Sequence, residues 1–106
     1  MKLVTVIVDR PLGSAHPQYP ELIYPVNYGY IPGTLAPDGE PEDAYILGVD
    51  QPVTEFTGFV IAQVLRADDV EHKWIVAPID RTFTQKEIYA AIHFQEQYFQ
   101  STIRLL

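Results

Sequence analysis

The sequence lacks cysteine entirely among its 106 residues. Disulfides, thiolate metal sites and cysteine nucleophiles are therefore excluded, which favours a reducing compartment. It also lacks any stretch near the roughly 20 apolar residues of a membrane-spanning helix. The apolar run at residues 3–8 is too short to predict a signal peptide. We therefore expect a cytoplasmic protein.

Basic residues are scarce, with seven Lys and Arg against fourteen Asp and Glu, for a formal charge of −7. Such a surface repels nucleic acid and anionic lipid, so neither is expected as a partner. Divalent cations could neutralise the acids, and a plain solvated surface is the alternative. The length predicts one domain, residues 1–106. Self-association as a homo-oligomer is compatible with so small a domain but is not required.

Motifs for nucleotide phosphates and for a serine nucleophile are absent as well. What the chain has is a series of short apolar runs, at residues 3–8, 44–49, 58–65 and 73–77. Between the first two lies a loop carrying four prolines, at residues 9–25. Short strands at such spacing predict a small closed barrel or a sandwich.

The C-terminal part changes period from strand to helix. Thr84 and Glu87 form the capping-box pattern, and Ile88, Ile92, Phe99 and Ile103 form an apolar stripe at helical spacing. We therefore predict a helix over residues 85–103. The fold class is α+β, mainly β.

The first acidic segment spans residues 38–43 and carries Asp38, Glu40 and Asp43. In an extended chain the Asp38 and Glu40 side chains point to the same side. Pro41 interrupts the strand, so the chain can bend and place Asp43 near them. Hard oxygen ligands favour Mg²⁺, Mn²⁺ or Ca²⁺. On the local pattern, three carboxylates splayed into water are an equal alternative.

A second acidic cluster contains Asp68, Asp69 and Glu71, between two strands expected to pair and just before Lys73. Two carboxylate groups from separate connections plus a lysine would make a site for metal-bridged phosphate oxygens. A charged hairpin turn is the alternative for this cluster.

A longer pattern surrounds the first acidic segment: residues 24–35 read YPVNYGYIPGTL, and residues 38–43 read DGEPED. In order and spacing this resembles the soluble, metal-dependent inorganic pyrophosphatases. The resemblance implies a five-stranded closed barrel, OB-like, with a C-terminal helix packed on it. It also implies hydrolysis of pyrophosphate, or of a related phosphoanhydride, with Mg²⁺ or Mn²⁺.

The resemblance further implies roles for single residues. It gives catalytic roles to Glu40, Lys73 and Tyr28 and substrate-binding roles to Arg10, Lys73 and Tyr98. The metal ligands that it implies are Asp38, Glu40, Asp43, Asp68, Asp69 and Glu71, with the choice between Asp68 and Asp69 left open.

Three departures from the family pattern bear on activity. Glu40 stands where the family has its central aspartate, and Phe99 where it has a phosphate-contacting lysine. The proline-rich loop replaces the family's front hairpin. The alternative is therefore a weakened or inactive member that binds a metal–phosphate ligand or hydrolyses another phosphoanhydride.

Overall fold

The computed structural model describes residues 2–67 and 72–106, so Asp68, Asp69 and Glu71 lie outside the described residues. Within those ranges, no helix has the length and apolarity needed to cross a membrane. The elements, in chain order, are strands β1 (Lys2–Arg10), β2 (Asn27–Ile31), β3 (Glu42–Ile46), β4 (Glu55–Arg66) and β5 (His72–Ala77), helix α1 (Gln85–Glu96) and strand β6 (Ser101–Leu105).

Five of the strands close into a barrel in the order β1-β2-β3-β5-β4, with β4 pairing back onto β1. Every pairing is antiparallel except that of β3 with β5. The twelve-residue β4 pairs with β5 and with two further strands, because its first half also pairs with β1 and its second half with β6. The expected five-stranded closed barrel with a helix is confirmed.

The strand pattern divides the core into two apolar clusters. Successive residues of β3 alternate between them, as strand geometry requires: Ala44 and Ile46 belong to one cluster, and Tyr45 to the other. The cluster of Tyr45 also contains Ile88 and Ile92, which are fully buried. The helix therefore covers the sheet face that carries Tyr45.

Helix α1 begins as predicted but ends early. Its capping box is present, since Thr84 Oγ1 accepts from Glu87 N at 3.1 Å and Glu87 Oε1 accepts from Thr84 N at 2.8 Å. The predicted end at residue 103 is wrong, because the helix stops at Glu96 and residues 101–105 form β6.

The reason for the early end is tertiary. Ile103 pairs with Val64, in the half of β4 that β1 does not reach, and is buried there. The sheet thus supplies hydrogen-bond partners that outweigh a local helical pattern. Consequently Tyr98 and Phe99 lie in the turn after α1, not on the helix as predicted.

The proline-rich loop folds back on itself and is held by one side chain. Its two arms meet through Gly13 N to Tyr24 O at 2.7 Å and His16 N to Leu22 O at 2.8 Å. Asn27 is fully buried, accepts from Leu12 N and Val53 N, and donates to Gln51 O. The asparagine of the YPVNYGY run thus fixes where the loop starts and ends relative to the barrel.

We expect Gly29→Ala to destabilise the fold by more than about 4 kcal/mol, since overpacking against rigid backbone exceeds the usual 1–3 kcal/mol. A Cβ at Gly29 would overlap the carbonyl of Ile7 on the paired strand β1. Gly33→Ala is the matched control, because Gly33 has φ +83° but open space around it. It should cost only about 1–2 kcal/mol of backbone strain. Urea unfolding measures the free energy of unfolding of both variants. Equal losses of stability in Gly29→Ala and Gly33→Ala would contradict the prediction.

Candidate active site

A cleft of about 740 Å³ lies between the proline-rich loop, the barrel strands and the turn after α1. Its lining contains the largest set of predicted site residues that the structure brings together. The lining residues are Arg10, His16, Tyr19, Glu21, Leu22, Tyr28, Asp43, Arg66, Lys73, Gln95, Tyr98 and Phe99.

Three of these side chains, Tyr28, Asp43 and Lys73, form a closed triangle of hydrogen bonds. Lys73 Nζ donates to Tyr28 OH at 2.6 Å and to Asp43 Oδ2 at 2.8 Å, and Tyr28 OH donates to Asp43 Oδ2 at 2.8 Å. The parallel register of β3 and β5 puts Asp43 directly opposite Lys73. The cation is buried and the carboxylate is about a third exposed, so the carboxylate is the member open to the cleft.

Tyr28 is held as a neutral phenol. Burial raises its pKa well above the ordinary value, and the neighbouring Asp43 carboxylate raises it further. A neutral phenol that accepts from a lysine still has its proton to donate. The triangle therefore keeps a hydrogen-bond donor and a cation next to one carboxylate.

Arg10 brings a second cation to the same phenol from the end of β1. Its Nη1 donates to Tyr24 OH at 2.5 Å, and its guanidinium lies 5.5 Å from the Tyr28 ring centroid. Lys73 Nζ lies 5.2 Å from that centroid. Burial raises the pKa of the adjacent Asp9, an effect that Arg10 opposes and the Asp43 carboxylate reinforces. Charges from β1, β3 and β5 thus influence one another across the cleft.

Asp38 and Glu40 do not line this cleft. Both are exposed in the loop before β3, where Asp38 Oδ1 accepts from Glu40 N at 3.0 Å. Within residues 2–67 and 72–106, no three Asp, Glu, His or Cys side chains are grouped so that they could hold a metal ion. The described carboxylates have the hard oxygens that Mg²⁺ prefers, but they are not assembled around one point. Their metal roles remain predictions.

A buried ion pair at the floor of the cleft was missed by the sequence analysis. Arg66 binds Glu96 through two parallel hydrogen bonds, Nε to Oε1 at 2.9 Å and Nη2 to Oε2 at 2.6 Å. Tyr45 OH and Ser101 Oγ also donate to Glu96, each at 2.6 Å. The Phe99 ring lies 3.7 Å from the Arg66 guanidinium, which it covers. Phe99 therefore stacks on a cation of the site.

A signal for this pair was present in the sequence. Glu96 continues the spacing of Ile88 and Ile92 at four residues per step, so it lies on the buried stripe of α1. A carboxylate at such a position requires a cation and further donors, because an unpaired buried charge is very unfavourable. The partner could not be chosen from the sequence alone.

The comparisons with known proteins agree with the geometry. A family model described as inorganic pyrophosphatase matches residues 5–102. The chain belongs to the inorganic pyrophosphatase family. Among curated relatives, the inorganic pyrophosphatase of Gluconobacter oxydans is 36% identical over 87 residues, covering 76% of this chain and 45% of that protein. That of Caulobacter vibrioides is 32% identical over 83 residues, covering 72% and 42%.

Solved pyrophosphatase structures share the fold of this family member. The Ehrlichia chaffeensis structure has a TM-score of 0.74 at 19% identity, covering 98% of this chain and 86% of that one. The Coxiella burnetii structure has a TM-score of 0.70 at 19% identity, covering 98% and 83%. By sequence alignment, however, the chain spans less than half the length of the curated pyrophosphatases that it matches.

We expect Glu96→Gln to lower the free energy of unfolding at pH 7 by about 3–5 kcal/mol, because Arg66 loses its buried carboxylate partner. Burial raises the pKa of Glu96, but hydrogen bonds from Arg66, Ser101 and Tyr45 outweigh it and hold the pKa below the ordinary value. The ionised Glu96 therefore contributes its full share to the free energy of unfolding above the unfolded-state pKa, about 4.3. That share is lost as the pH falls through the lower folded-state pKa.

Urea unfolding at pH 7 and pH 3.5 tests this. The difference in the free energy of unfolding between wild type and Glu96→Gln should be smaller at pH 3.5 than at pH 7. Glu55→Gln, at an exposed position, is the control and should change stability by less than about 0.5 kcal/mol at both pH values. An equal loss for Glu96→Gln at the two pH values would show that the ionised form of Glu96 is not what stabilises the fold.

Proposed function

We propose that this chain hydrolyses inorganic pyrophosphate to phosphate in the 740 Å³ cleft, with the help of divalent metal ions. The observation that carries the proposal is the convergence of Lys73, Tyr28, Asp43 and Arg10 in one cleft of a pyrophosphatase-family chain. These residues come from four strands, and the family resemblance had predicted a site role for each of them.

The described side chains suit recognition of a phosphoanhydride. Arg10 and Lys73 supply two cations against one tyrosine ring, and Tyr28 holds Lys73 and Asp43 in place by accepting from the first and donating to the second. In this proposal Lys73 stabilises the charge that develops on the leaving phosphate, and Arg10 binds a phosphate group of the substrate. Tyr98 lines the same cleft and is 69% exposed, and in this proposal its hydroxyl contacts a second phosphate group.

The metal in this proposal is Mg²⁺ or Mn²⁺. Asp43 would be a ligand inside the cleft, with Asp38 and Glu40 contributed by the neighbouring loop. The set would be completed by Asp68 or Asp69 and by Glu71. Held by these carboxylates, divalent ions would supply neutralisation of phosphate charge and an acidified water molecule as the nucleophile. Glu40 would act next to that water.

Phosphate release from pyrophosphate, assayed with Mg²⁺ and with a chelator, tests the activity. We expect chelation to abolish turnover, and Lys73→Met or Asp43→Asn to lower kcat about 10²- to 10³-fold, the usual loss of a charge-stabilising group. The exposed Asp80→Asn is a matched control outside the cleft and should keep wild-type rates. If Asp43→Asn and wild type were equally inactive with every metal tested, the proposed activity would be wrong.

The loop acids need a separate test, because they are exposed and outside the cleft lining. If Asp38 and Glu40 are metal ligands, Asp38→Asn and Glu40→Gln should each raise the Mg²⁺ concentration for half-maximal activity about tenfold or more, since lost ligand-sphere contacts cost 10- to 100-fold in affinity. Titration of activity against Mg²⁺ measures this. An unchanged midpoint in both variants would remove the loop from the metal site.

A second candidate function is binding of a metal–phosphate ligand without efficient turnover, or hydrolysis of another phosphoanhydride. It is favoured by Phe99, which stands where the family resemblance implies a phosphate-contacting lysine and whose ring stacks on Arg66. Pyrophosphate binding by calorimetry without phosphate release would support it.

Several expectations remain predictions from length and composition. They are the cytoplasmic location, the single domain, self-association and the lack of nucleic-acid and membrane partners.

A further inference from the structure

A buried chain of hydrogen bonds leads from Arg10 to the floor of the cleft. Arg10 Nη1 donates to Tyr24 OH at 2.5 Å, and Tyr24 OH donates to Gln95 Oε1 at 2.8 Å. Gln95 Nε2 donates to Tyr45 OH at 2.7 Å, and Tyr45 OH donates to Glu96 Oε2 at 2.6 Å. The two tyrosines are fully buried and Gln95 is 9% exposed. We refer to this chain of five residues as the relay.

The direction of the relay is determined at both ends. An arginine can only donate, so Tyr24 OH must accept from Arg10 and must send its own proton to Gln95. An ionised carboxylate can only accept, and Glu96 is kept ionised by its two hydrogen bonds from Arg66, so Tyr45 must donate to it. Gln95 forms a hydrogen bond with each of the two phenols. Its amide oxygen and nitrogen can satisfy them in one orientation only.

The relay determines where the Arg10 guanidinium points. Within the described ranges, Tyr24 OH is the hydrogen-bond partner found for the Arg10 side chain, which otherwise lies against the rings of Tyr24 and Tyr28. The backbone of Arg10 is held by the pairing with Tyr28 at the end of β1, so the relay acts on the far end of the side chain. The relay uses one of the five N–H donors of an arginine, which leaves the others for a ligand.

We propose that Gln95 and Tyr24 are positioning residues that hold Arg10 at the cleft, so that its guanidinium meets a phosphate group of the substrate. The inference rests on the proposed function for the identity of that ligand. Tyr24 holds Arg10 directly through its hydroxyl, and Gln95 holds the Tyr24 hydroxyl. Gln95 is itself held by Tyr45, which donates to Glu96. A preorganised arginine binds an anion more tightly because less side-chain freedom is lost on binding.

The first test is the kinetics of Gln95→Met, which keeps the length of the side chain and removes both amide groups, and of Tyr24→Phe. Each should raise KM for pyrophosphate about three- to tenfold, the worth of roughly one hydrogen bond, and leave kcat within about twofold. Loss of folded protein would lower kcat at constant KM, so the two effects are separable. Tyr89→Phe, an exposed tyrosine of α1 outside the cleft lining, is the control and should change neither constant.

The second test asks whether Gln95 acts through Arg10. In an Arg10→Ala background, Gln95→Met should raise KM no further, because the residue that it positions is gone. If the two substitutions multiply their effects on KM, Gln95 acts on the substrate or the fold by another route and the proposal is wrong. A fall in kcat with unchanged KM in the single variants would overturn it too.

The third test uses the free protein and does not depend on turnover. The Arg10 side-chain N–H resonances, assigned by their loss in Arg10→Lys, should show slow guanidinium rotation in the wild type and faster averaging in Gln95→Met. If this change occurs but pyrophosphate is neither bound nor hydrolysed, the relay stands and the proposed function fails. If the Arg10 resonances are the same in both proteins, the relay does not position Arg10.

Discussion

The arrangement of the cleft depends on one pairing, the parallel register of β3 with β5. This register places Asp43 directly opposite Lys73, and it is one of the five strand pairings that close the barrel. Tyr28 reaches both residues from β2, and Arg10 reaches Tyr28 from β1. A one-residue slip would turn every side chain of β5 to the opposite face and separate the ion pair. A pairing of the barrel therefore also brings site residues together.

A second constraint comes from the buried charges around the cleft. Lys73 and Arg66 are almost completely buried, and each is bound to a carboxylate. Buried ion pairs contribute little net stability compared with apolar packing, but removing one partner is costly, so they fix side-chain positions more than they stabilise the fold. At this cleft the pairs hold cations and phenols in set places before a ligand arrives. The Phe99 ring covers the Arg66 guanidinium and so helps to fix its position.

Sequence reasoning succeeded where the signal was local or where the family motif carried it. The strand of residues 3–8 and the start of α1 at its capping box could both be predicted from the sequence. Tyr28, Asp43 and Lys73, which the family motif singled out, do lie together in the structure, and their roles remain predictions. The end of the helix could not, because Ile103 fits an apolar stripe in either a helix or a strand and only the unpaired half of β4 decides between them. Asp38 and Glu40 have the right chemistry, yet the structure places them outside the cleft lining.

The amino-acid sequence by itself determined the resemblance to the family, a series of short strands followed by a helix, and which charged and phenolic groups were available for a site. These follow from motif spacing, hydrophobic period and composition, which are properties of neighbouring residues. Only the tertiary structure decided which groups meet. Tyr24 and Gln95 are 71 positions apart, Tyr28 and Lys73 are 45 apart, and Arg66 and Glu96 are 30 apart. Hydrogen bonds over such separations depend on barrel register and helix packing, and no local pattern encodes either.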